Sequence, residues 1–392
     1  MIKTRIAPSP TGALHLGTAR TALFNYLFAK QNQGIFILRI EDTDAKRSQK
    51  KWAKDIKNGL KWLGLNWDEE YQQSNRGGVY KKYTEKLLEQ EKAYKKDGVI
   101  YLKVPNNQSQ ITKFKDVIRG EIKNNQEIED FIISRNIKKP LYNLACVIDD
   151  CEMGITQVIR GEDHISNTFR QILIARALNI KNPEYAHLPL ILGPDRSKMS
   201  KRHGATSIAE YKKDYLPEAM INFMALLGWN PGNNQEYFTR EELIKNFSLS
   251  KVQKAGAIFN PIKLESINHY YIKNYNSQKL GRLLKIGERA IKLEQGRIRK
   301  LSHFKESLDF LRKVPDYNRE LLFWGDLSEA EVGESLAKTL KGEVLKGKYL
   351  WPPRVAVSGK SGSPSYVDIK KVLGKKETAK RLKQAIEVLN RH

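Results

Sequence analysis

Apolar and polar positions fall into regular blocks from the first residues. "IKTRIA" reads as a strand, and "LGTARTALFNYLFAKQNQG" as a helix with Ala19, Ala22, Leu23 and Leu27 on one face, ending near Gly34. "IFILRIE" is almost continuously apolar, the pattern of a parallel strand buried on both faces. "SQKKWAKDIKNGLKWLGL" sets Trp52, Ile56, Leu60 and Leu63 at helical spacing. This β-α-β-α order predicts an α/β protein with a doubly wound sheet. Residues 71–139 break the rhythm with polar, lysine-rich text and short strands ("VIYLKVP", "FIISR"), as an inserted subdomain would. The sheet is expected to resume with "LACVIDD" and "TQVIRGED" as strands, then the helix "SNTFRQILIARALN" and the strand "HLPLIL". That places the sheet domain at 1–70 and 140–205. From about 206 onward the text is helical, with Tyr211, Leu216, Met220, Phe223, Leu226 and Leu227 on apolar faces. From Lys341 to His392 there are 13 Lys and Arg against 4 Asp and Glu, so the end of the chain is strongly basic.

Composition narrows the class of partner. The 392 residues, 40% hydrophobic and 29% charged, suit a globular protein of two or three domains. A formal net charge of +25, from 69 Lys and Arg against 44 Asp and Glu, points to a polyanion, since phosphate backbones reward basic side chains through counterion release. A lysine-rich surface with no such partner is the alternative. Cys146 and Cys151 cannot build a disulfide framework or a four-ligand zinc site, and buried free thiols are expected. No apolar run approaches the roughly 18 residues that would span a bilayer. The first strand begins near Ile2, which leaves no room for a leader peptide, so a cytoplasmic protein is expected.

Two stretches carry candidate chemistry. The first, residues 8–17 of "RIAPSPTGALHLGTAR", follows the first strand, where ligands bind in open α/β sheets. Pro8 and Pro10 stiffen it, Gly12 and Gly17 allow close backbone approach, and the following helix offers N–H groups to an anion. His15 and Thr18 would add donors. It is neither a Walker A loop nor a dinucleotide turn. The second, "GPDRSKMSKRHGAT" at 193–206, loads a loop with Lys198, Lys201 and Arg202, which could stabilise charge on a triphosphate. Each alone has a plain alternative, a stiff strand-to-helix connection and a solvated basic loop.

Paired in this order, the two are the signature of class I aminoacyl-tRNA synthetases. More closely, "RIAPSPTGALHLGTARTALFNYLFA", "RIEDTD", "LKWLGLNWDE", "VIRGEDHISNT" and "SKMSKRHGATSI" resemble the bacterial-type glutamyl-tRNA synthetases. The likeness extends to "KAGAIFN" at 254–260 and "WPPRVAVSG", and so covers nearly the whole chain. The resemblance implies a Rossmann-type catalytic domain (1–70 and 140–205) with a shortened acceptor-end insert (71–139). A stem-contact helical domain (206–275) and a shortened all-α anticodon-binding region (276–392) would follow. It implies ATP-dependent activation of L-glutamate, dependent on bound tRNA, and transfer to tRNA(Glu), with tRNA(Gln) as a second candidate acceptor. It implies Mg2+ with the ATP, no zinc, and a monomer.

For the site, the resemblance implies that His15, Thr18, Lys198 and Lys201 act on the phosphates, with Pro8, Gly17 and Ser200 beside the ATP. Glutamate presents two carboxylates and an ammonium, so its pocket needs arginines and an acid. Arg5, ending the first strand, offers a bidentate fork, and Glu41, ending the second, can accept from the ammonium. By resemblance Tyr142 and Arg160 complete that pocket, with Ala7 and Ser9 lining it. Structural alternatives stand beside each: Arg5 or Arg160 as an ion-pair partner, Glu41 as a helix cap, Tyr142 as core. Three other functions compete: a glutamyl-queuosine tRNA-modifying enzyme, whose likeness would stop at the catalytic half; a glutaminyl-tRNA synthetase, which the wording "RIAPSPTG" and "RIEDTD" disfavours; and a tRNA-binding paralogue without turnover.

Overall fold

The computed structural model describes residues 1–44, 46–105, 113–200, 202, 204 and 206–390. They form two compact units, Met1–Ile267 and Asn268–His392.

The first unit opens with β1 (Lys3–Ile6), α1 (Leu16–Gln31), β2 (Ile35–Ile40), α2 (Lys50–Trp62) and β3 (Glu69–Gln72), and the three strands pair in parallel in the order β1-β2-β3. Ala19, Ala22, Leu23 and Leu27 are fully buried, but so are Phe24, Asn25 and Ala29, so α1 is covered almost all round rather than on one face. The second cover comes from later helices, with the Phe24 ring edge-on to Phe247 at 5.1 Å. Gly34 is obligatory where α1 turns into β2, because a Cβ there would meet the Ile2 carbonyl oxygen at 2.3 Å.

After α3 (Gly77–Glu89) come β4 (Ala93–Lys96), β5 (Val99–Leu102), β6 (Lys113–Asp116), β7 (Gly120–Lys123), β8 (Phe131–Asn136) and β9 (Lys139–Pro140). Four of them form an antiparallel sheet, β4-β5-β8-β9. The β6–β7 hairpin leaves that sheet and joins another, in the order β10-β11-β6-β7, with β10 (Gln157–Gly161) and β11 (Glu184–Leu188) parallel. "LACVIDD" is not a strand but the body of a helix, α4 (Tyr142–Glu152), packed on α5 (Ile165–Ala177). Leu144, Ala145 and Ile148 are buried in the core, and Asp149 and Asp150 are buried as well. A short apolar run buried on several sides carries no period that separates strand from helix. The same helix buries Cys146 and leaves Cys151, in its last turn, exposed, against the expectation of two buried thiols.

The β1-β2-β3 sheet and the mixed β10-β11-β6-β7 sheet meet at β1 and β10. Thr156 N–H donates to the Lys3 carbonyl (3.0 Å), and Lys3 N–H donates to Thr156 Oγ1 (2.8 Å). Further along, α1 fills the join: Asn25 Nδ2 donates to the Ile159 carbonyl at 3.0 Å, and Thr4 Oγ1 donates to the Asn25 carbonyl at 2.9 Å. The chain runs outward from β1 to β3 on one side and from β10 to β11 on the other, so this join is the switch point of the sheet. The unit closes with β12 (Ile191–Leu192), α6 (Ile208–Tyr211), α7 (Pro217–Leu226), α8 (Arg240–Asn246), β13 (Ala257–Ile258) and the start of α9 (Pro261–Asn274).

In the second unit every regular element among the described residues is helical. Its main core joins Val332 and Leu336 of α13 (Glu329–Lys341), Val355 of α14 (Trp351–Ser358) and Leu382, Ala385 and Leu389 of α16 (Lys375–Leu389), where α10 to α12 and α15 are the helices Ser277–Leu284, Glu288–Glu294, His303–Ser307 and Tyr366–Leu373. Arg381 is buried and ties the helices together by donating to the carbonyls of Phe310 and Val357, both at 2.7 Å.

The Asn25 bond to Ile159 is the side-chain closure of the sheet join. Asn25→Ala strands the Ile159 carbonyl in the interior, and a loss of ~1–3 kcal/mol in denaturant unfolding of the first unit is expected.

Candidate functional site

A cavity of about 470 Å3 opens beyond the carboxyl ends of β1 and β10. Arg5, Ala7, Pro8, Ser9, His15, Gly17 and Thr18 line it from the first strand and turn, and Glu41, Tyr142, Arg160 and Lys198 from elsewhere. Of the remaining expected residues, Ser200 is half-buried and does not line the cavity, while Lys201 lies outside the described residues.

The turn 8–17 is held by backbone bonds from its surroundings. Glu41 N–H donates to the Pro8 carbonyl (3.0 Å), Gln49 N–H to that of Pro10 (2.9 Å), and Leu14 N–H to Asp55 Oδ2 (2.8 Å). The second basic stretch is bonded directly to it: Leu16 N–H donates to Thr206 O and Ile208 N–H to Leu14 O, both at 2.9 Å. The two motifs, nearly two hundred residues apart, therefore share one short ladder. The glycines of the turn are not needed by the protein itself. A Cβ at Gly12 would meet nothing within 4 Å, and at Gly17 only His15 Nδ1 at 3.7 Å. His15 caps α1 by accepting from Gly17 N–H at Nδ1 (3.3 Å). Burial and then Lys198 lower its pKa, so the neutral ring carries its proton on Nε2. Lys198 itself stands 3.6 Å from Asp163.

Arg5 does not face the cavity with an open fork. Its Nε and Nη2 donate to Asp150 at 3.0 and 3.3 Å, leaving Nη1 outside these bonds. Asp150 also receives Arg39 Nη1 at 2.6 Å, and Arg39 Nη2 donates to Glu41 Oε1 at 3.0 Å. Asp149, next along α4, takes Arg76 (2.7 Å), Gln73 (2.8 Å) and the Tyr80 hydroxyl (2.9 Å). Three arginines and three carboxylates thus balance beneath the pocket. Asp150 is held well below the carboxylate range, because Arg5 and Arg39 more than offset the burial that would raise it. Burial raises Glu41, an effect that Arg39 partly offsets. Cys146, one turn beyond Tyr142, has its thiol pushed up to about 12 by burial and by Asp150, so it remains protonated.

Arg160 is different. It meets no carboxylate within ion-pair distance among the described residues: Nε points to His187 Nε2 (3.3 Å), Nη2 donates to Thr168 Oγ1 (2.7 Å), and Nη1 lies 3.5 Å from the Tyr142 hydroxyl. Tyr142, the first residue of α4, also contacts His164 Nδ1 at 3.1 Å. Burial and then Arg160 push His164 down to about 4, leaving it neutral near pH 7. The pocket therefore offers one uncompensated guanidinium, a phenol and the free edge of a second guanidinium.

Sequence reasoning missed Arg39, Asp149, Asp150, Asp116 and His187. The signals were there. Arg39 is a charge inside a strand apolar on both faces, and Tyr142, Cys146 and Asp150 are spaced four apart, one face of a helix.

Comparison with known proteins follows the same lines. A family model described as the catalytic domain of class I tRNA synthetases (E and Q) matches residues 1–100 and 96–266, and one described as an anticodon binding domain matches 324–386. The glutamate–tRNA ligase of Thermodesulfovibrio yellowstonii is 39% identical over 464 aligned positions, covering 99% of this chain and 100% of that protein. That alignment is longer than this chain by dozens of positions, so the chain is gapped against that ligase. The ligase of Aquifex aeolicus is 44% identical over 365 positions, covering 81% and 75% of the two chains. The crystal structure of a glutamate–tRNA ligase from Elizabethkingia meningosepticum with its amino acid superposes with a TM-score of 0.83 at 30% identity, covering 99% and 100%.

The Asp150 cluster sets an acid limit. Its folded pKa is depressed, so its stabilisation is complete above the unfolded value of about 3.9 and is lost as pH falls through the lower folded value. Asp150→Asn leaves two buried arginines short of a partner and is expected to lose ~3–5 kcal/mol at pH 7. Urea midpoints measured from pH 5 down to 2 should then fall less steeply for the variant than for the native chain, the difference opening below about pH 4.

Proposed function

The chain belongs to the glutamate–tRNA ligases, class I aminoacyl-tRNA synthetases, and from that premise we propose how its residues divide the work. It is an ATP-dependent enzyme that activates L-glutamate as glutamyl-adenylate and transfers the acyl group to tRNA(Glu). The observation that carries the assignment of residues is the shared ladder between the two motif loops at the mouth of a cavity floored by Arg5 and Arg160.

In the first step a carboxylate oxygen of the α-carboxylate attacks the α-phosphorus of ATP and pyrophosphate leaves. Little proton transfer is required, so positioning and charge dominate. The triphosphate lies over Pro8, Gly17 and the N–H groups opening α1, a ready anion site. His15 donates from Nε2, Thr18 from its hydroxyl, and Lys198 adds charge, with Ser200 beside it. Lys201 is assigned to the leaving phosphates from its motif alone. Asp163, the exposed acid of the cavity lining, is the side chain that would face Mg2+ brought in with the ATP. When bound, the ion neutralises phosphate charge.

Glutamate sits between Arg5 Nη1, Arg160 and Tyr142, its ammonium toward Glu41, with Ala7 and Ser9 along the strand end. A glutamine amide would leave Arg160 facing a neutral group in a buried site, so discrimination follows without editing. In the second step the terminal ribose hydroxyl of tRNA takes the acyl group and AMP leaves. We assign residues 71–139 to the acceptor end, 206–275 to the stem and 276–392 to the anticodon, with tRNA(Gln) as a second candidate acceptor. No helix among the described residues is long and apolar enough to cross a membrane; the assignment to the cytoplasm rests on the tRNA substrate. In the anticodon region Trp324, half exposed, lies with its ring centroid 4.0 Å from that of Trp351, and Arg354 covers Trp351 at 4.3 Å. Such a surface suits an unpaired base.

Three experiments test this division. ATP–pyrophosphate exchange should appear with glutamate and tRNA(Glu) together and not with glutamine; exchange driven equally by glutamine would refute the pocket assignment. Lys201→Ala should cut exchange by about 100-fold or more with tRNA affinity little changed. Trp324→Ala should do the reverse, weakening tRNA binding by roughly 5-fold or more and sparing exchange.

A further inference from the structure

His187 and Asp116 touch none of the space a substrate would fill, yet they are among the most buried polar residues of the chain, with 0% and 1% exposure. Asp116 ends β6, in the hairpin that leaves the inserted segment to join the catalytic sheet. Its Oδ1 accepts from the N–H groups of Ile118 and Arg119, both at 2.9 Å, which fixes the carboxylate on the hairpin turn. Its Oδ2 accepts from His187 N–H at 3.0 Å and lies 2.7 Å from His187 Nδ1. On the other side of the imidazole, Nε2 lies 3.3 Å from Arg160 Nε and 3.0 Å from Thr168 Oγ1.

These distances leave one tautomer. A carboxylate oxygen at 2.7 Å only accepts, so Nδ1 must carry the proton. A guanidinium Nε only donates, so Nε2 must be the lone pair that receives it. Burial opposes a second proton on the ring, and Arg160 opposes it too, while the bond to Asp116 works the other way; the net shift is downward. The ring therefore stays neutral while Asp116 polarises it toward Arg160.

We propose that Asp116 and His187 are positioning residues for the glutamate pocket, a relay in which the inserted hairpin fixes the imidazole and the imidazole aims the Arg160 guanidinium at the substrate carboxylate. The inference rests on the assignment of Arg160 to glutamate. Its chemical logic is the contrast with Arg5. A carboxylate placed directly on Arg160, as Asp150 is on Arg5, would neutralise the charge that the ligand needs. A neutral imidazole holds Nε by a hydrogen bond and leaves the charge uncompensated. Arg119 of the same hairpin pairs with Glu162 and donates to the His187 carbonyl at 3.3 Å, so the hairpin holds His187 by its backbone as well as by its ring.

The test is steady-state aminoacylation of tRNA(Glu) by the full chain and by His187→Leu, His187→Gln and Arg160→Ala. His187→Leu should raise the glutamate KM by at least about ten-fold, the factor carried by a lost hydrogen bond to a charged group, with the ATP KM within two-fold of native. His187→Gln, which can donate to Asp116 from Nε2 and accept from Arg160 at Oε1, should recover most of that loss. If Arg160→Ala raises the glutamate KM and His187→Leu does not, the relay is wrong and the pocket assignment stands. An unchanged glutamate KM in Arg160→Ala overturns the assignment and the relay together. Equal rises in both KM values for His187→Leu, without recovery in His187→Gln, also overturn the relay. Should His187→Leu fail to fold, 15N NMR of the native imidazole decides: Nδ1 protonated and Nε2 bare is the expected state, and a proton on Nε2 overturns the proposal.

Discussion

Asp150 stands between two buried arginines, its Oδ1 3.0 Å from Arg5 Nε and 2.6 Å from Arg39 Nη1, and the pocket above depends on that arrangement. A pocket for an amino acid with two carboxylates needs positive charge where water is scarce, and an isolated buried guanidinium is costly to keep charged. The first unit meets this demand by distributing charge across elements. Strands β1 and β2 bring Arg5, Arg39 and Glu41, α4 brings Asp149 and Asp150, and the turn before α3 brings Arg76. The cluster balances, so Arg5 turns an edge to the cavity rather than its whole charge. Arg160 supplies the uncompensated charge, held only by neutral groups.

Around this core the catalytic geometry is a matter of backbone. His15 is placed by its cap on α1 and by flanking bonds to Thr206 and Ile208, which close the second motif loop onto the first. Since adenylation asks for little proton transfer, such rigid placement of donors is the chemistry the fold has to provide. A neutral His15 suits the role, because it offers a hydrogen bond without adding another charge beside Lys198.

Much of this was legible in the sequence. The strand, turn and helix around the first motif, the switch-point cavity and most of its lining follow from periodicity, from the paired motifs and from the family they resemble. What was not legible has physical causes. "LACVIDD" becomes α4 because burial on several sides erases the period on which strand and helix are told apart. Arg5 looked like an open fork because nothing near it in sequence shows that Asp150, far along the chain, closes most of it. Asp116 reaches His187, behind the cavity, through a hairpin in text that reads as an insert, and only the sheet order reveals that this hairpin belongs to the catalytic sheet. The glycines of the first turn are a further case: the protein has space at Gly12 and Gly17, so any demand for them must come from the ligand.

In the proposed pocket glutamate is recognised by Arg5 and Arg160 together, one guanidinium compensated and the other not. The most direct measurement is a crystal structure of the enzyme with a non-hydrolysable glutamyl-adenylate analogue. The side-chain carboxylate is expected within hydrogen-bond distance of both Arg160 and Arg5 Nη1, with Arg5 still paired to Asp150. A carboxylate lodged elsewhere, or Arg5 released from Asp150 to embrace it alone, would overturn this mode of recognition.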